Sequence, residues 1–175
     1  IEDQWNKVPI GYFEWGEKVF QLEDCIGFIT SKNAKILADE FNRRLSEHGT
    51  TRVQWIALYY IGNNEYITQK ELSDLMDIKE STMVRLIDRL EKEELVKRVK
   101  DIKDRRVTKL TLTDKGADFI EKLLPLGEEF SNSATQGILQ EDLDTFKKVL
   151  EKMIKNVNVW LIMPLNSGII ILTDS

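Results

Sequence analysis

Apolar residues recur at three- and four-residue steps along most of this chain, which is the spacing of helices with one buried face. The segments with this spacing are residues 22–47, 51–61, 114–136 and 140–160. In the second segment, the pattern predicts that Trp55, Leu58 and Tyr59 face inward. Pro125 is expected to bend or interrupt the third segment, because proline lacks a backbone donor and clashes with the preceding turn. The pattern therefore predicts a mainly helical protein.

Two short helices are predicted next to each other in the middle of the chain. Thr68 and Glu71 have the spacing of a capping box, in which the two side chains satisfy free backbone donors at a helix start. A tight turn at residues 77–79 separates this helix from a second one over residues 80–93. Two short helices joined in this way form a helix-turn-helix.

The predicted helix over residues 80–93 has two unlike faces. Its apolar residues Met83, Ile87 and Leu90 fall on one side, where a core would cover them. Small polar and basic residues fall within an arc of about 100° on the other side. They are Ser81, Thr82, Arg85, Arg89 and Lys92. A helix in a DNA major groove needs short side chains where the backbones approach, and arginines that reach base edges and phosphates. A merely solvated polar face is the alternative interpretation.

A strand pair is predicted directly after this helix. Alternating apolar and polar residues indicate strands at residues 96–100 and 107–113, joined by the loop 101–106. The basic residues of the loop are Lys103, Arg105 and Arg106. A hairpin with a basic tip after a helix-turn-helix is a wing, and a narrow DNA groove attracts inserted arginine. Asp104 would be repelled by phosphate, so we interpret it as a partner that orients an arginine. A self-neutralising surface hairpin is the alternative.

The charge distribution supports a nucleic-acid partner, although the chain as a whole is acidic. The 175 residues carry a formal charge of −5, with 42% hydrophobic and 31% charged residues, which suits a single globular domain. Residues 79–109 hold eleven Lys or Arg and seven Asp or Glu, a net charge of +4. An acidic body with one basic segment is the asymmetry expected when a domain contacts nucleic acid through one face.

The segment from Phe41 to Leu123 resembles the MarR family of winged-helix transcription regulators. The matching stretches are FNRRLSEHGTTRVQWIAL, ITQKELSDLMDIKESTMVRLIDRLEKEELVKR and DIKDRRVTKLTLTDKG. The last is similar to the wing signature of the family, Asp-x-Arg-Asp-Arg-Arg followed by Leu-Thr-x-x-Gly, with Lys103 in place of the first arginine. Weaker similarity in the flanking helices extends the resemblance to about residues 25–160.

The resemblance implies a homodimer with two winged helix-turn-helix lobes that bind a pseudo-palindromic operator on double-stranded DNA, usually as a repressor. Residues 1–47 would form an aromatic N-terminal arm and a dimerisation helix, residues 48–113 the DNA-binding lobe, and residues 114–175 the C-terminal dimerisation helices and an apolar tail. It also implies a small hydrophobic or phenolic effector that binds between the dimer helices and the lobe.

The resemblance assigns roles to individual residues. Ser81, Thr82 and Arg85 would contact or brace the major groove, together with Arg89 on the same arc. Arg106 would enter the minor groove, oriented by Asp104, with Lys103 and Arg105 beside it at the wing tip. Thr68 and Gln69 lie where a helix start can meet phosphate.

Other chemistry has little to build on. The single cysteine, Cys25, is interpreted as a small apolar residue rather than a redox sensor, and the single histidine, His48, as a helix-end residue. We therefore expect no metal, no cofactor and no enzymatic activity. The absence of a long apolar run and of a secretory pattern predicts a cytoplasmic protein without membrane contact. A winged helix that binds another protein, without DNA, is the alternative function.

Overall fold

The computed structural model describes residues 14–15, 18–64, 66–101, 107–157, 161–162 and 170–171. The chain divides into two compact units, Ile1–Arg52 and Val53–Ser175. Among the described residues, none of the helices is long and apolar enough to cross a membrane.

The elements are, in chain order, β1 (Glu14–Trp15), β2 (Lys18–Val19), α1 (Ile26–Ser46), α2 (Arg52–Asn63), β3 (Ile67–Thr68), α3 (Gln69–Leu75), α4 (Glu80–Lys92), β4 (Val96–Lys100), β5 (Thr108–Leu112), α5 (Asp114–Thr135), α6 (Gln140–Asn156), β6 (Leu161–Ile162) and β7 (Ile170–Ile171). A short 3₁₀ turn, Leu22–Asp24, precedes α1. The predicted fold class, mainly helical with a small winged sheet, is confirmed.

The first unit consists mainly of α1. The helix ends where the sequence predicts, because Gly49 adopts a left-handed φ of 74° that turns the chain away. Its apolar residues Phe41 and Leu45 are buried, whereas Ile36 and Leu37 are exposed. Before it, β1 and β2 pair antiparallel as a two-residue hairpin, where the pattern had indicated only an aromatic arm.

The second unit has one core that α2, α3, α4 and the sheet share. Leu58, Leu72, Ile87 and Leu110 are among its completely buried members. Leu58 faces inward as predicted and Trp55 packs against the core. The prediction for Tyr59 is wrong, because 41% of this residue is exposed.

The sheet has three antiparallel strands in the order β3-β5-β4. Leu110 is the buried residue of β5. It lies opposite Ile67 of β3 on one side and opposite Arg98 of β4 on the other. The strands β4 and β5 are the predicted wing pair. The sequence pattern did not indicate β3, because two residues are too few to show an alternation.

The helix α5 is continuous across Pro125, so the expected interruption does not occur. An additional donor lies close to the proline: the Trp55 indole N–H donates to the carbonyl oxygen of Leu123 at 3.1 Å. Gly127 makes room for this indole, since a Cβ at that position would lie 2.8 Å from the ring.

The helix α6 ends at Asn156, and residues 158–160 of its predicted range lie outside the described residues. The strands β6 and β7 pair within the predicted apolar tail.

The glycine of the wing signature, Gly116, is required by a close approach of two backbones. A Cβ on Gly116 would lie 1.9 Å from the carbonyl oxygen of Leu95, which already accepts the N–H of Thr113 at 3.1 Å. We expect Gly116→Ala to lower the free energy of unfolding by about 2 kcal/mol, because the first turn of α5 must move away from the α4–β4 turn. Urea denaturation measures this difference.

Gly27 is the matched control for this substitution. It lies at the start of α1 with nothing within 4 Å of an added Cβ. Gly27→Ala should leave the stability unchanged or raise it by up to about 1 kcal/mol, because alanine loses less chain entropy. Equal effects of the two substitutions would contradict the steric explanation.

Candidate nucleic-acid interface

The two faces predicted for the second helix of the helix-turn-helix are present in α4. Met83, Ile87 and Leu90 are completely buried in the core. The predicted polar arc is exposed along its whole length, and its members are Ser81, Thr82, Arg85, Arg89 and Lys92. The structure therefore brings these five side chains to one solvent-facing surface, which we call the α4 outer face.

The N-terminal end of the α4 outer face is suited to an anion. Lys79 is the N-cap residue, and no side-chain oxygen caps the first turn. The backbone N–H groups at a helix start carry a partial positive charge and lack intrahelical partners. The exposed side chains at this end are Lys79, the hydroxyl residues Ser81 and Thr82, and the carboxylate of Glu80, which offsets part of the positive charge. Sequence analysis had not selected Lys79, although its position directly before the helix was visible.

The two arginines of the α4 outer face differ in their partners. Within the described part of the chain, Arg85 makes no ion pair and no side-chain hydrogen bond. The Arg89 Nε donates to Glu93 Oε1 at 2.9 Å, and the other oxygen of Glu93 accepts from Gln54 Nε2 at 3.1 Å. Gln54 is 2% exposed, so this chain of contacts ties Arg89 to the core. Arg85 is thus the more available arginine.

The start of α3 has the predicted capping box. The Glu71 N–H donates to Thr68 Oγ1 at 3.2 Å, and the Thr68 N–H donates to Glu71 Oε2 at 2.7 Å. The Thr68 hydroxyl also donates to Glu71 Oε2, at 2.7 Å, so its hydrogen is engaged inside the box. These hydrogen bonds hold the pKa of Glu71 below its ordinary value, the backbone bond from Thr68 most strongly. Of the two residues predicted here, Gln69 has the amide group that can contact DNA.

A residue that sequence analysis missed, Arg98 of β4, connects three elements. Its Nε donates to Gln69 Oε1 at 2.8 Å, and its Nη2 lies 2.8 Å from Asp88 Oδ1. Its Nη1 pairs with Glu91 Oε2, and its backbone N–H donates to Glu91 Oε1 at 3.0 Å. The sequence shows an arginine at the end of the stretch LVKR, residues 95–98, but its spacing does not reveal which residues it pairs with.

The base of the wing is closed, and its tip lies outside the described residues. Asp101 N–H donates to the Val107 carbonyl at 3.0 Å, and Lys109 pairs with the Asp101 carboxylate. Lys109 Nζ also lies 5.5 Å from the ring centre of Tyr66, a cation–π contact. The predicted tip residues that lie outside the described residues are Lys103, Asp104, Arg105 and Arg106.

A cleft of about 200 Å³ lies in the second unit between α2, β5 and α5. Its apolar lining comes chiefly from Leu58, Leu112, Ile120 and Leu124. Tyr59, Asn63 and Glu121 add polar groups at the same place. The lining resembles that of a small-molecule site, but the cleft of about 200 Å³ is smaller than the roughly 300–1,000 Å³ that such sites usually have.

Comparisons with known proteins agree with this geometry. A family model described as MarR family matches residues 48–107. The uncharacterised HTH-type transcriptional regulator YsmB of Bacillus subtilis is 32% identical over 137 residues, which cover 78% of this chain and 91% of YsmB. The chain belongs to the MarR family. It is a transcriptional regulator of the helix-turn-helix type and not an enzyme.

Solved structures with the same fold include further MarR-type regulators. The Staphylococcus aureus MepR–DNA complex has a TM-score of 0.70 at 19% identity, covering 78% of this chain and 99% of MepR. CouR from Rhodococcus jostii RHA1, solved with p-coumaroyl-CoA, has a TM-score of 0.68 at 23% identity, covering 75% of this chain and 93% of CouR. At these identities, the likeness establishes the fold.

The lowered pKa of Glu71 predicts how the capping box responds to pH. A carboxylate with a depressed folded-state pKa adds stability above its unfolded-state pKa, and this is lost as the pH falls through the folded-state pKa. At neutral pH, we expect Glu71→Gln to lower the free energy of unfolding by about 0.5 kcal/mol. The difference from wild type should shrink as the pH falls from neutral to acidic values and disappear once the Glu71 carboxylate of the folded protein is protonated. Urea denaturation over this pH range measures it.

Glu128→Gln provides the control, because Glu128 is exposed in the middle of α5. It should change stability little at any pH in this range. A Glu71→Gln difference that persists unchanged at low pH would mean that the charge of Glu71 does not stabilise the box.

Proposed function

We propose that this protein is a dimeric repressor that binds a pseudo-palindromic operator and responds to a small hydrophobic or phenolic effector. The observation that carries the proposal is the α4 outer face. There Arg85 is exposed and has no ion-pair or hydrogen-bond partner among the described residues, and the opposite side of the same helix is completely buried. Such a helix presents polar and basic groups outward in one direction, as insertion into a major groove requires.

The order of side chains along the α4 outer face supports distinct roles. Ser81 and Thr82 lie at the N-terminal end, where short side chains let the helix approach the DNA closely. Arg85, one turn further, has the reach and the paired donors to bind the edge of a guanine. Arg89 is held by Glu93 and is assigned to the DNA backbone. The wing-tip residues Lys103, Arg105 and Arg106, with Asp104 as partner, are proposed to contact the adjacent minor groove.

Exposed apolar residues on the outer helices support a dimer. Phe146 and Val149 are three positions apart on α6, Val157 directly follows the helix, and each of the three is at least half exposed. Ile36 and Leu37 are similarly exposed on α1. Exposed large apolar side chains on a helix are typical of a protein–protein interface. A second copy would cover them, and residues 1–47 and 114–175 are proposed as the dimerisation regions.

The cleft between α2, β5 and α5 is the proposed effector site. It touches the root of the wing through Leu112 and the long helix α5 through Ile120 and Leu124. A ligand that separates these elements would change the position of the wing relative to α5. CouR, which has a similar fold, was solved with p-coumaroyl-CoA, and this supports the proposal of a phenolic effector.

A winged helix that binds protein instead of DNA is the alternative, and the net charge of −5 is compatible with it. Salt dependence separates the two functions. A DNA-binding protein releases counterions, so its log K falls with log salt by about 0.9 for each phosphate it neutralises. The absence of duplex binding at low salt would favour the alternative.

Arg85→Ala tests the major-groove role. The DNA target is the duplex that the wild-type protein selects from a randomised pool, compared with a random duplex. We expect the substitution to weaken the selected duplex about tenfold or more, because one bidentate contact to a base contributes about 1–3 kcal/mol of discrimination. Random DNA should be weakened much less. Fluorescence anisotropy over a salt series measures both affinities.

Arg43→Ala is the charge-matched control, because Arg43 is an exposed arginine on α1 paired with Glu40 and Glu47. It should leave the preference for the selected duplex unchanged. If Arg85→Ala weakens selected and random DNA equally, Arg85 contacts phosphate and not a base.

Val149→Asp tests the dimer. A carboxylate in the middle of the exposed apolar stripe of α6 would be buried without a partner in a dimer, so we expect a monomer with half the wild-type mass. Sedimentation measures the mass. Lys148→Asp, at the adjacent exposed polar position, should remain dimeric. A Val149→Asp protein that stays dimeric would place the dimer contact elsewhere.

A further inference from the structure

The contacts of Arg98 determine which way the carboxamide of Gln69 points. A guanidinium has only donors, so the Gln69 atom that lies 2.8 Å from Arg98 Nε must be the carbonyl oxygen Oε1. The Nε2 amino group is then directed away from Arg98. No acceptor for Nε2 occurs within the described part of the chain, and Nε2 is not among its buried unpaired atoms. At least part of the amino group therefore reaches solvent.

The side chain of Arg98 is itself held firmly. Asp88 and Glu91 of α4 bind its two terminal nitrogens, and Glu91 also accepts the Arg98 backbone N–H. Arg98 and Glu91 are half-buried, which limits solvent screening of their pair. A planar guanidinium with three engaged nitrogens is fixed in one orientation. The ammonium of a lysine is a compact group on a flexible stem and could not reach the same three partners with this geometry.

We infer that Arg98 is a positioning residue for DNA binding, which acts by locking Gln69 with its amino group outward to donate to a DNA phosphate. The inference rests on the proposed function and adds a specific contact to it. An ionised phosphate accepts hydrogen bonds and donates none, so only one of the two orientations of a glutamine amide can bind it. The opposite orientation would direct Oε1 at the phosphate and would be repelled.

The same network joins the two helices of the helix-turn-helix. Gln69 begins α3, and Asp88 and Glu91 belong to α4, so Arg98 holds the phosphate donor of one helix in register with the base-contacting face of the other. Arg98 pairs with both carboxylates, which offsets part of the negative charge next to the α4 outer face. A residue of the wing strand β4 thus reduces the charge of this acidic pair from −2 to −1 for the three side chains together.

Gln69→Met tests the contact itself. Methionine has nearly the length of glutamine and lacks the donor, so we expect the affinity for duplex DNA to fall about tenfold, the effect of one hydrogen bond to a charged group. The loss should be equal for selected and random duplexes, because a phosphate contact does not depend on sequence. Gln69 is only partly buried at the first position of α3, so the fold should be retained.

Arg98→Lys tests the positioning role. It keeps the charge but frees the carboxamide, and we expect about a fivefold loss of affinity, because the glutamine must then be immobilised on binding. In a Gln69→Met background, Arg98→Lys should cost less than about twofold, since no amide remains to be positioned. If Arg98 had only a structural role, Arg98→Lys would lower the DNA affinity by the same factor in the wild-type and Gln69→Met backgrounds. Thermal melting of each variant measures any loss of stability separately.

Arg43→Lys is the matched control, since Arg43 of α1 also pairs with two carboxylates. It should leave DNA affinity unchanged. Equal losses from Arg98→Lys in the two backgrounds would overturn the positioning role. Wild-type affinity in Gln69→Met would overturn it even if Arg98→Lys does not fold. If the wild-type protein binds no duplex, the proposed function fails, and the inference fails with it.

Discussion

The complete burial of one side of α4 is the constraint on which the rest of the lobe depends. Met83, Ile87 and Leu90 leave no surface to solvent, and removing each from water contributes about 1.5–3 kcal/mol. The helix cannot rotate about its axis without exposing them. Its opposite side is therefore fixed in direction, and that side carries Ser81 and Arg85. The DNA-facing surface is thus oriented by the core and not by contacts of its own.

Ion pairs then decide which basic side chains remain available. Arg98 is engaged by Asp88 and Glu91, and Lys109 pairs with Asp101 at the base of the wing. Arg85 has no such partner within the described residues. The net charge of +4 over residues 79–109 consequently overstates the number of cations that can meet phosphate. The paired cations, Arg98 and Lys109, stabilise the lobe, whereas Arg85 remains available to a ligand.

The junction between the wing and α5 is built from hydrogen bonds between side chains and backbone groups. Thr113 caps α5 through the Gly116 N–H at 3.0 Å, and its hydroxyl donates to the Glu94 carbonyl at 2.6 Å. Lys115 donates to the Glu93 carbonyl at 2.8 Å. The end of α4, the last strand of the wing and the start of α5 are therefore joined within a few residues. A ligand in the adjacent cleft would act on elements that are already linked.

Local sequence was sufficient for the helices, the two faces of α4 and the capping box at Thr68, because helical spacing and capping involve residues within four positions of one another. It was also sufficient for the family, through the wing signature. The wing-tip assignments, such as that of Arg106, rest on sequence alone. Tertiary contacts decided the rest. Arg98 meets Gln69 across 29 positions and Trp55 meets Leu123 across 68, so neither the lock on Gln69 nor the unbroken α5 at Pro125 was visible in a pattern. The exposure of Tyr59 escaped prediction for the same reason, since burial depends on what packs alongside and periodicity does not specify it.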